Sequence, residues 1–440
     1  VSLDPFGLAG LADPLDIEPL LHPIDADAQL PGSKSITNRA LVIAALAEGD
    51  TTLEGALFAD DTEAMLGCLR DLGLAVHRDP DASRVTVTGG GGALSPGAVT
   101  LDARLSGTTS RFVLPLLALS DATVVLDGGE PLRARPMADG IAAVQALGAV
   151  VEALDAPGHL PIRVRGTADP ARAVRVPGSV SSQFLSGLLL VAPCLPSGLE
   201  VTIVGDLVSR PYVELTLHVM RAFGAEASWA TLDRITVAPT GYRGRTYTVE
   251  PDASAASYAM AAAAIAGGSV RVAGLGRSSP QGDVRFADVL ARMGADVTIG
   301  ADGIEVRGTG VLHGIDVDLG DLSDTAQTFA AVAVFADGPS EVTGIGFIRA
   351  KETDRIAAVV TELVRCGVDA VPTPDGFRIV PGPPSPAVIE TYDDHRMAMS
   401  FALLGLRASG IRIADPACVA KTFPGYWAFL DSLHTSSGGR

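Results

Sequence analysis

The chain has 440 residues, a formal net charge of -18 and a hydrophobic fraction of 47% with only 5% aromatics. Its core must therefore be built from Ala, Val, Leu and Ile, and its length implies two or three domains. The acidic balance excludes broad binding to nucleic acid or anionic membranes, and Cys68, Cys194, Cys366 and Cys418 lie too far apart for a zinc knuckle or a C-x-x-C redox pair.

The segment up to about Gln29 is acidic and lacks a basic start or a long apolar run, so it does not read as a signal or transit peptide. A cytoplasmic protein with reduced, buried thiols is the expectation. The next stretch, Pro31-Gly32-Ser33-Lys34-Ser35-Ile36-Thr37-Asn38-Arg39, is a tight turn that runs into the apolar helical run Ala40 to Ala47. A helix N-terminus offers unpaired N–H groups and a partial positive charge, so the added lysine, hydroxyls and arginine make it a candidate anion site. An ordinary Pro-Gly turn with a serine cap accounts for the same residues. A nucleotide P-loop does not, because Ser33 precedes Lys34 where that motif needs glycine. Composition adds weight, since the 33 basic residues include only three lysines, Lys34, Lys351 and Lys421, each in a short polar motif. A chain that otherwise writes arginine uses the compact, tunable ammonium at those three places.

Beyond this turn the pattern predicts a strand near Thr51 to Leu57, a helix from Asp61 to Leu72, and strands near Leu74 to His77, Arg84 to Thr88 and Val99 to Leu101. A helix from Thr108 to Leu119 follows. The run Gly89 to Gly92 reads as a flexible turn between strands, since no helix follows it at the distance a dinucleotide loop requires. One phrase recurs throughout: a helix end, a small turn, then a short strand closed by Gly or Asp. Its turns fall at positions 49, 122, 198, 268, 338 and 410, spaced 70 to 76 residues apart. Six units of this size are small subdomains rather than solenoid rungs, and they divide naturally into two domains of three.

Further motifs sit at predicted helix starts. Ser179 to Phe184 places Ser181, Ser182 and Gln183 before an apolar helix. Gly205 to Tyr212 places Ser209 and Arg210 before another, and Glu130 to Pro136 ends a strand with Arg133 and Arg135. Lys351-Glu352-Thr353-Asp354-Arg355 is expected to open a helix through Val364, with Lys351 and Arg355 on one face. Tyr392-Asp393-Asp394-His395-Arg396 has carboxylates at the N-cap and an arginine opposing the helix dipole, an arrangement that suits a nearby anion. Asp324 starts a very apolar helix, as either a cap or a base, and Lys421 precedes a proline turn. Caps and surface ion pairs are the ordinary reading of each motif taken singly.

Taken together and in order, PGSKSITNRA, SVSSQF, GDLVSRPY, GDVRFADVL, KETDR, YDDHRMAM and AKTFP resemble the enolpyruvyl transferase family, specifically its 5-enolpyruvylshikimate-3-phosphate synthases, from about Leu30 to Leu433. The resemblance implies an α/β fold of six βαβαββ repeats, three per domain around pseudo-threefold axes. It also implies a discontinuous domain of residues 1–31 plus 252–440, an inserted domain of residues 32–251, and an active site in the cleft between them. The implied reaction transfers the enolpyruvyl group of phosphoenolpyruvate to the 5-hydroxyl of shikimate 3-phosphate and releases phosphate, with no cofactor and no metal. By the same resemblance Lys34, Ser35, Arg39, Ser181, Ser182, Gln183, Ser209, Asp324 and Lys351 would bind shikimate 3-phosphate. Lys34, Gly107, Arg135, Gln183, Arg355, Arg396 and Lys421 would bind phosphoenolpyruvate. Asp324 would take the hydroxyl proton, and Lys34 and Glu352 would handle protons at the methylene and the phosphate.

The two substrates together bring about six negative charges. Lys34, Arg39, Arg135, Lys351, Arg355, Arg396 and Lys421 are the cations that would meet them, and two such half-sites of like charge are expected to hold the empty cleft open. Leu105, Phe112 and Phe347 depart from the family's phrases, which bears on substrate affinity and on the response to the inhibitor glyphosate. A UDP-N-acetylglucosamine enolpyruvyl transferase would carry a reactive cysteine before its Arg-Pro pair, and residues 130–136 contain none. A non-catalytic anion-binding protein would need neither Asp324 nor Glu352. The expected partners are small-molecule substrates acting on a monomer, with neither nucleic acid nor membrane involved.

Overall fold

The computed structural model describes residues 5–435 apart from 93, 95, 98 and 180. The chain divides into two compact units, one of Val1–Pro31 with Pro251–Arg440 and the other of Gly32–Glu250. Among the described residues no helix is long and apolar enough to cross a membrane. Cys68 and Cys366 are buried thiols, whereas Cys194 and Cys418 are only half-buried.

Repetition along the chain becomes repetition of one sheet. The strands Val99–Asp102, Val124–Asp127, Ile162–Arg165 and Val150–Ala153 lie side by side in that order, the first pair parallel and the others antiparallel. The helix Gly107–Leu117 joins the first two strands and Ala138–Leu147 leads to the third in sequence, giving βαβαββ. The same order builds the sheets that begin at Ala173–Pro177 and Asp316–Asp318. Two repeats are split by the chain's passage between units. Thr246–Thr248 pairs in parallel with Glu48–Glu54, and Ile24–Ala28 pairs in parallel with Gly268–Ala273, each completing a four-stranded sheet. In the sixth, Ala387–Ile389 and Ile411–Ile413 are parallel, and the third strand is Leu15–Asp16 from the N-terminal segment. The last repeat is thus finished by residues that the motif pattern left without a role.

Within each repeat the first helix is buried nearly all round. These six inner helices are Lys34–Leu46, Gly107–Leu117, Ser182–Val191, Ala253–Ala266, Ala326–Ala333 and His395–Gly405. Three pack on one another in each unit. A helix that is apolar on every face belongs inside, and alanine-rich stretches such as Ala253–Ala266 let neighbouring backbones approach closely. The second helices, such as Arg355–Arg365 with Ile356, Val359 and Leu363 inward, cover the outside.

Gly89 departs from the expected loop. It lies in the strand Arg84–Gly90, and a Cβ there would stand 2.2 Å from the Ala47 carbonyl oxygen and 2.5 Å from that of Ala44. It is glycine because a strand passes directly over the end of an inner helix. Gly67 lies inside the helix Asp60–Asp71, and a Cβ there would meet no heavy atom within 4 Å. Gly89→Ala is therefore expected to destabilise its unit by about 1–3 kcal/mol through overpacking. Gly67→Ala is expected to stabilise it by about 0.5–1 kcal/mol through helix propensity. Urea unfolding of the two variants checks the opposite signs.

Candidate active site

In each unit several of the residues singled out in the sequence lie at or against the N-terminal ends of inner helices, and others stand on neighbouring turns and outer-helix starts. In the unit of residues 32–250, Ser33 caps the first inner helix by accepting the Ile36 N–H at 3.4 Å, and Lys34 is the first helical residue. The Lys34 ammonium lies 3.3 Å from Asp61, itself buried at the start of the helix Asp60–Asp71. Ser106 and Ser181 cap the next two inner helices through the Thr109 and Gln183 N–H groups. Gln183 ties their starts together, accepting from Arg111 at 2.7 Å and donating to the Thr108 hydroxyl at 3.2 Å.

Two arginines of this unit are held differently. Arg39 is 2% exposed, and its guanidinium donates to Thr216, Ser186 and the carbonyls of Ser35 and Tyr212 while lying over the Phe112 ring. Burial lowers its pKa to about 10, so it remains charged at neutral pH and braces the Ser35 backbone from below. Arg135 lies against Gly107, where a Cβ would come within 2.7 Å of its Nη1. Arg133, in contrast, is engaged in a two-point ion pair with Asp127. Ser182 and Ser209 are buried, and Ser209 begins its helix at a φ of 52°.

In the unit of residues 1–31 and 251–440, Asp324 is the hub. Its carboxylate accepts from Arg396 at 2.8 Å and Arg355 at 3.2 Å and lies 3.6 Å from the Lys351 ammonium. Arg355 is 1% exposed and also bonds both oxygens of Asp394, at 2.7 and 3.2 Å, and Glu352 at 2.8 Å. Asp394 caps the last inner helix by accepting the Arg396 N–H at 2.9 Å, so one carboxylate fixes both arginines. Burial, with the neighbouring Arg355 and Arg396 guanidiniums, lowers the Lys351 pKa, opposed by Asp324 and Glu352. Asp283 accepts from the Ser254 hydroxyl behind this hub, and burial followed by the Asp324 charge pushes its carboxyl up to about 6. Lys421 ends the short 3₁₀ turn Pro416–Lys421.

The expected helix through Lys351 begins later. Asp354 is its N-cap, accepting the Ala357 N–H at 3.0 Å, and Arg355 is its first residue, so Lys351 and Glu352 stand on the preceding bend rather than on a helical face. The charge count made from sequence also needs correcting. Lys351, Arg355 and Arg396 are interleaved with Asp324, Glu352 and Asp394, and Lys34 is matched by Asp61, so the cations are not an unopposed cluster. Asp61, Asp283, Asp394 and Arg111 complete the two clusters. Acidic pairs at helix starts, Asp60-Asp61 and Asp393-Asp394, are the visible signal of Asp61 and Asp394, whereas Asp283 and Arg111 stand in no such pair. Tyr392 and Asp393, both at a φ of 57°, mark the same place by backbone strain in non-glycine residues.

The model of the family described as EPSP synthase (3-phosphoshikimate 1-carboxyvinyltransferase) matches residues 21–430. The chain belongs to the EPSP synthase family. A 3-phosphoshikimate 1-carboxyvinyltransferase from Nostoc sp. is 44% identical over 416 residues, covering 94% of this chain and 98% of the relative. One from Klebsiella pneumoniae is 42% identical over 430 residues, covering 96% and 99%. Among solved structures, the EPSP synthase from Acinetobacter baumannii superposes with a TM-score of 0.80 at 28% identity, covering 95% of this chain and 97% of that one. The six-repeat, two-domain α/β architecture is that of the EPSP synthase fold.

Two outcomes follow from this geometry. Arg355→Ala strands the Asp394 carboxylate without its buried partner and is expected to cost about 3–5 kcal/mol, read by urea unfolding. Asp283 has a folded-state pKa raised above its ordinary 3.8 to about 6, so it binds an extra proton in the fold and its contribution to stability is lost as pH rises through that window. Asp283→Asn is therefore expected to raise the melting temperature more at pH 7.5 than at pH 4.5. An equal effect at both values would contradict the assignment.

Proposed function

We propose that the chain transfers the enolpyruvyl group of phosphoenolpyruvate to the 5-hydroxyl of shikimate 3-phosphate and releases phosphate. The observation that carries this reading is the Asp324 hub: a carboxylate ringed by Lys351, Arg355 and Arg396 at a helix start, in a chain of the EPSP synthase family. In the addition step the 5-oxygen bonds to the central carbon of phosphoenolpyruvate, its proton passes to Asp324, and the methylene carbon gains a proton. In the elimination step that methyl group loses a proton and the bond to the phosphate oxygen breaks. Lys34 and Glu352 are the groups assigned to proton transfer at the methylene and the phosphate.

Ser35, Arg39, Ser181, Ser182, Gln183, Ser209 and Lys351 hold shikimate 3-phosphate in this reading. Gly107, Arg135, Gln183, Arg355, Arg396 and Lys421 hold phosphoenolpyruvate, with Lys34 touching both. The bare face of Gly107 lets the Arg135 guanidinium lie on the backbone, and helix N-termini add partial positive charge for the anions. The hub adds a coupling of its own. A carboxylate surrounded by three cations is a weak base. An arriving carboxylate or phosphate competes for Arg396 and Lys351, and Asp324 gains basicity as the hydroxyl is brought to it.

In this reading the bound anions replace water around the reacting carbons. The same reading takes the chain as a cytoplasmic monomer acting without metal or cofactor; its net charge of -18 argues against nucleic-acid or membrane partners, and its scattered cysteines against a zinc knuckle or redox pair.

Phosphate release on mixing both substrates tests the assignment directly. Asp324→Ala is expected to lower kcat by about 10²–10⁴-fold, the usual range for loss of a general base. Turnover equal to that of the unaltered chain removes Asp324 from the mechanism.

A further inference from the structure

Residues 5–20 precede the stretch matched by the family model, which starts at residue 21, yet they are built into the last repeat. Leu15 and Asp16 pair antiparallel with Ile413 and Arg412, the Ile17 N–H bonds the Ile411 carbonyl at 3.0 Å, and the Leu20 N–H bonds the carbonyl of Leu406, the C-cap of the helix His395–Gly405, at 2.9 Å. Ile17 is buried, and it occupies the space that Gly405 leaves open on the inner helix His395–Gly405. A Cβ at Gly405 would stand 2.4 Å from the Ile17 side chain. The arm is thereby fixed along the strand that leads directly into Asp415.

Asp415 begins the turn Pro416–Lys421, its carbonyl accepting the Cys418 N–H at 3.2 Å. Its φ is 43°, in the left-handed region that non-glycine residues adopt only at a cost, and its side chain makes no capping bond. The Asp415 N–H is instead received by the carboxylate of Asp13, from the arm, at 3.0 Å. At the same turn the Trp427 indole donates to the Pro416 carbonyl at 2.9 Å. Burial, then the Asp393 and Asp13 charges, push the Asp415 carboxyl up to about 6.

We propose that the N-terminal arm is a positioning element: docked by Leu15–Ile17, it holds the strained Asp415 peptide through Asp13 and so sets the turn that presents Lys421 to phosphoenolpyruvate. The role of Lys421 rests on the functional reading above; the coupling of arm to turn does not. Asp13 touches no substrate in this scheme and acts only through the turn.

Asp13→Ala and Asp13→Asn in the full-length chain separate the possibilities, because asparagine keeps a carbonyl oxygen as acceptor and removes the charge. Hydrogen exchange of the amides of residues 415–422, followed by mass spectrometry, reads the turn without reference to activity. Exchange is expected to speed up by about fivefold to tenfold in Asp13→Ala, the equivalent of one lost hydrogen bond, and to stay near the parent rate in Asp13→Asn. The KM for phosphoenolpyruvate is expected to rise by a similar factor in Asp13→Ala while that for shikimate 3-phosphate is unchanged, with rescue in Asp13→Asn. Unchanged exchange overturns the inference. Faster exchange with an unaltered KM for phosphoenolpyruvate, or with both KM values raised alike, overturns the positioning role. Faster exchange in Asp13→Ala, where the parent chain itself releases no phosphate, upholds the coupling of arm to turn and overturns the functional reading alone.

Discussion

A helix buried on every side can carry charge along its length only where buried partners receive it, as Arg39 and Arg111 are received, and otherwise carries it at its ends. That constraint, applied six times, determines where the chemistry of this molecule lies. The inner helices leave their first-turn N–H groups without helical partners, and five of the six meet the need with a capping Ser or Asp: Ser33, Ser106, Ser181, Asp252 and Asp394. The sixth, Ala326–Ala333, is entered through the turn that bears Asp324. Polar groups deeper in these helices bond one another, as Ser257, Thr328 and Ser400 do across three of them at 3.1 and 3.3 Å. Capping residues, macrodipoles and candidate site residues therefore coincide because burial leaves them the same place.

The cations at these helix ends are aimed by carboxylates. Arg355 would be costly to bury alone, and three acidic groups compensate it: Asp324, Glu352 and Asp394. Such a network adds little net stability over an apolar core, but it holds guanidinium groups in one orientation before any ligand arrives. Lys34 and Asp61 repeat the arrangement in the other unit with an ammonium, and Arg39 does so with neutral hydroxyls and carbonyls. The consequence is a competition, since each carboxylate that orients a cation also weakens its pull on an incoming anion. A site built this way discriminates in favour of ligands carrying several charges at once.

How much of this could be read from residues alone depended on periodicity. The sixfold phrase revealed the repeat because a helix end, a turn and a strand leave a pattern in local residue types, and the scarcity of lysine pointed to Lys34, Lys351 and Lys421. Partners chosen by tertiary packing left no such pattern. Nothing local to Asp61 announces Lys34, nothing near Leu15 announces the strand at Ile411, and Gly89 looks like a loop until a helix end is laid against it. The start of the helix at Arg355 was misplaced for the related reason that Asp354 caps more effectively than Lys351 continues.

The chain's passages between units follow from the same constraint. Each passage lies immediately before an inner helix, at Pro31-Gly32 ahead of Ser33 and at Glu250-Pro251 ahead of Asp252. The Ser33 N–H bonds the Glu250 carbonyl at 2.9 Å, and the Asp252 N–H bonds the Pro31 carbonyl at 2.9 Å, so the two passages are each tied at both ends. Gly32 is not a loose joint, because a Cβ there would fall 1.8 Å from the Gly55 carbonyl oxygen. It is glycine so that the turn can lie against its own sheet. Prolines fix the backbone at Pro31 and Pro251. Each passage therefore leads without a linker into a capped helix start, Ser33-Lys34 in one unit and Asp252 in the other, so the lysine stands at the point where the chain enters its unit.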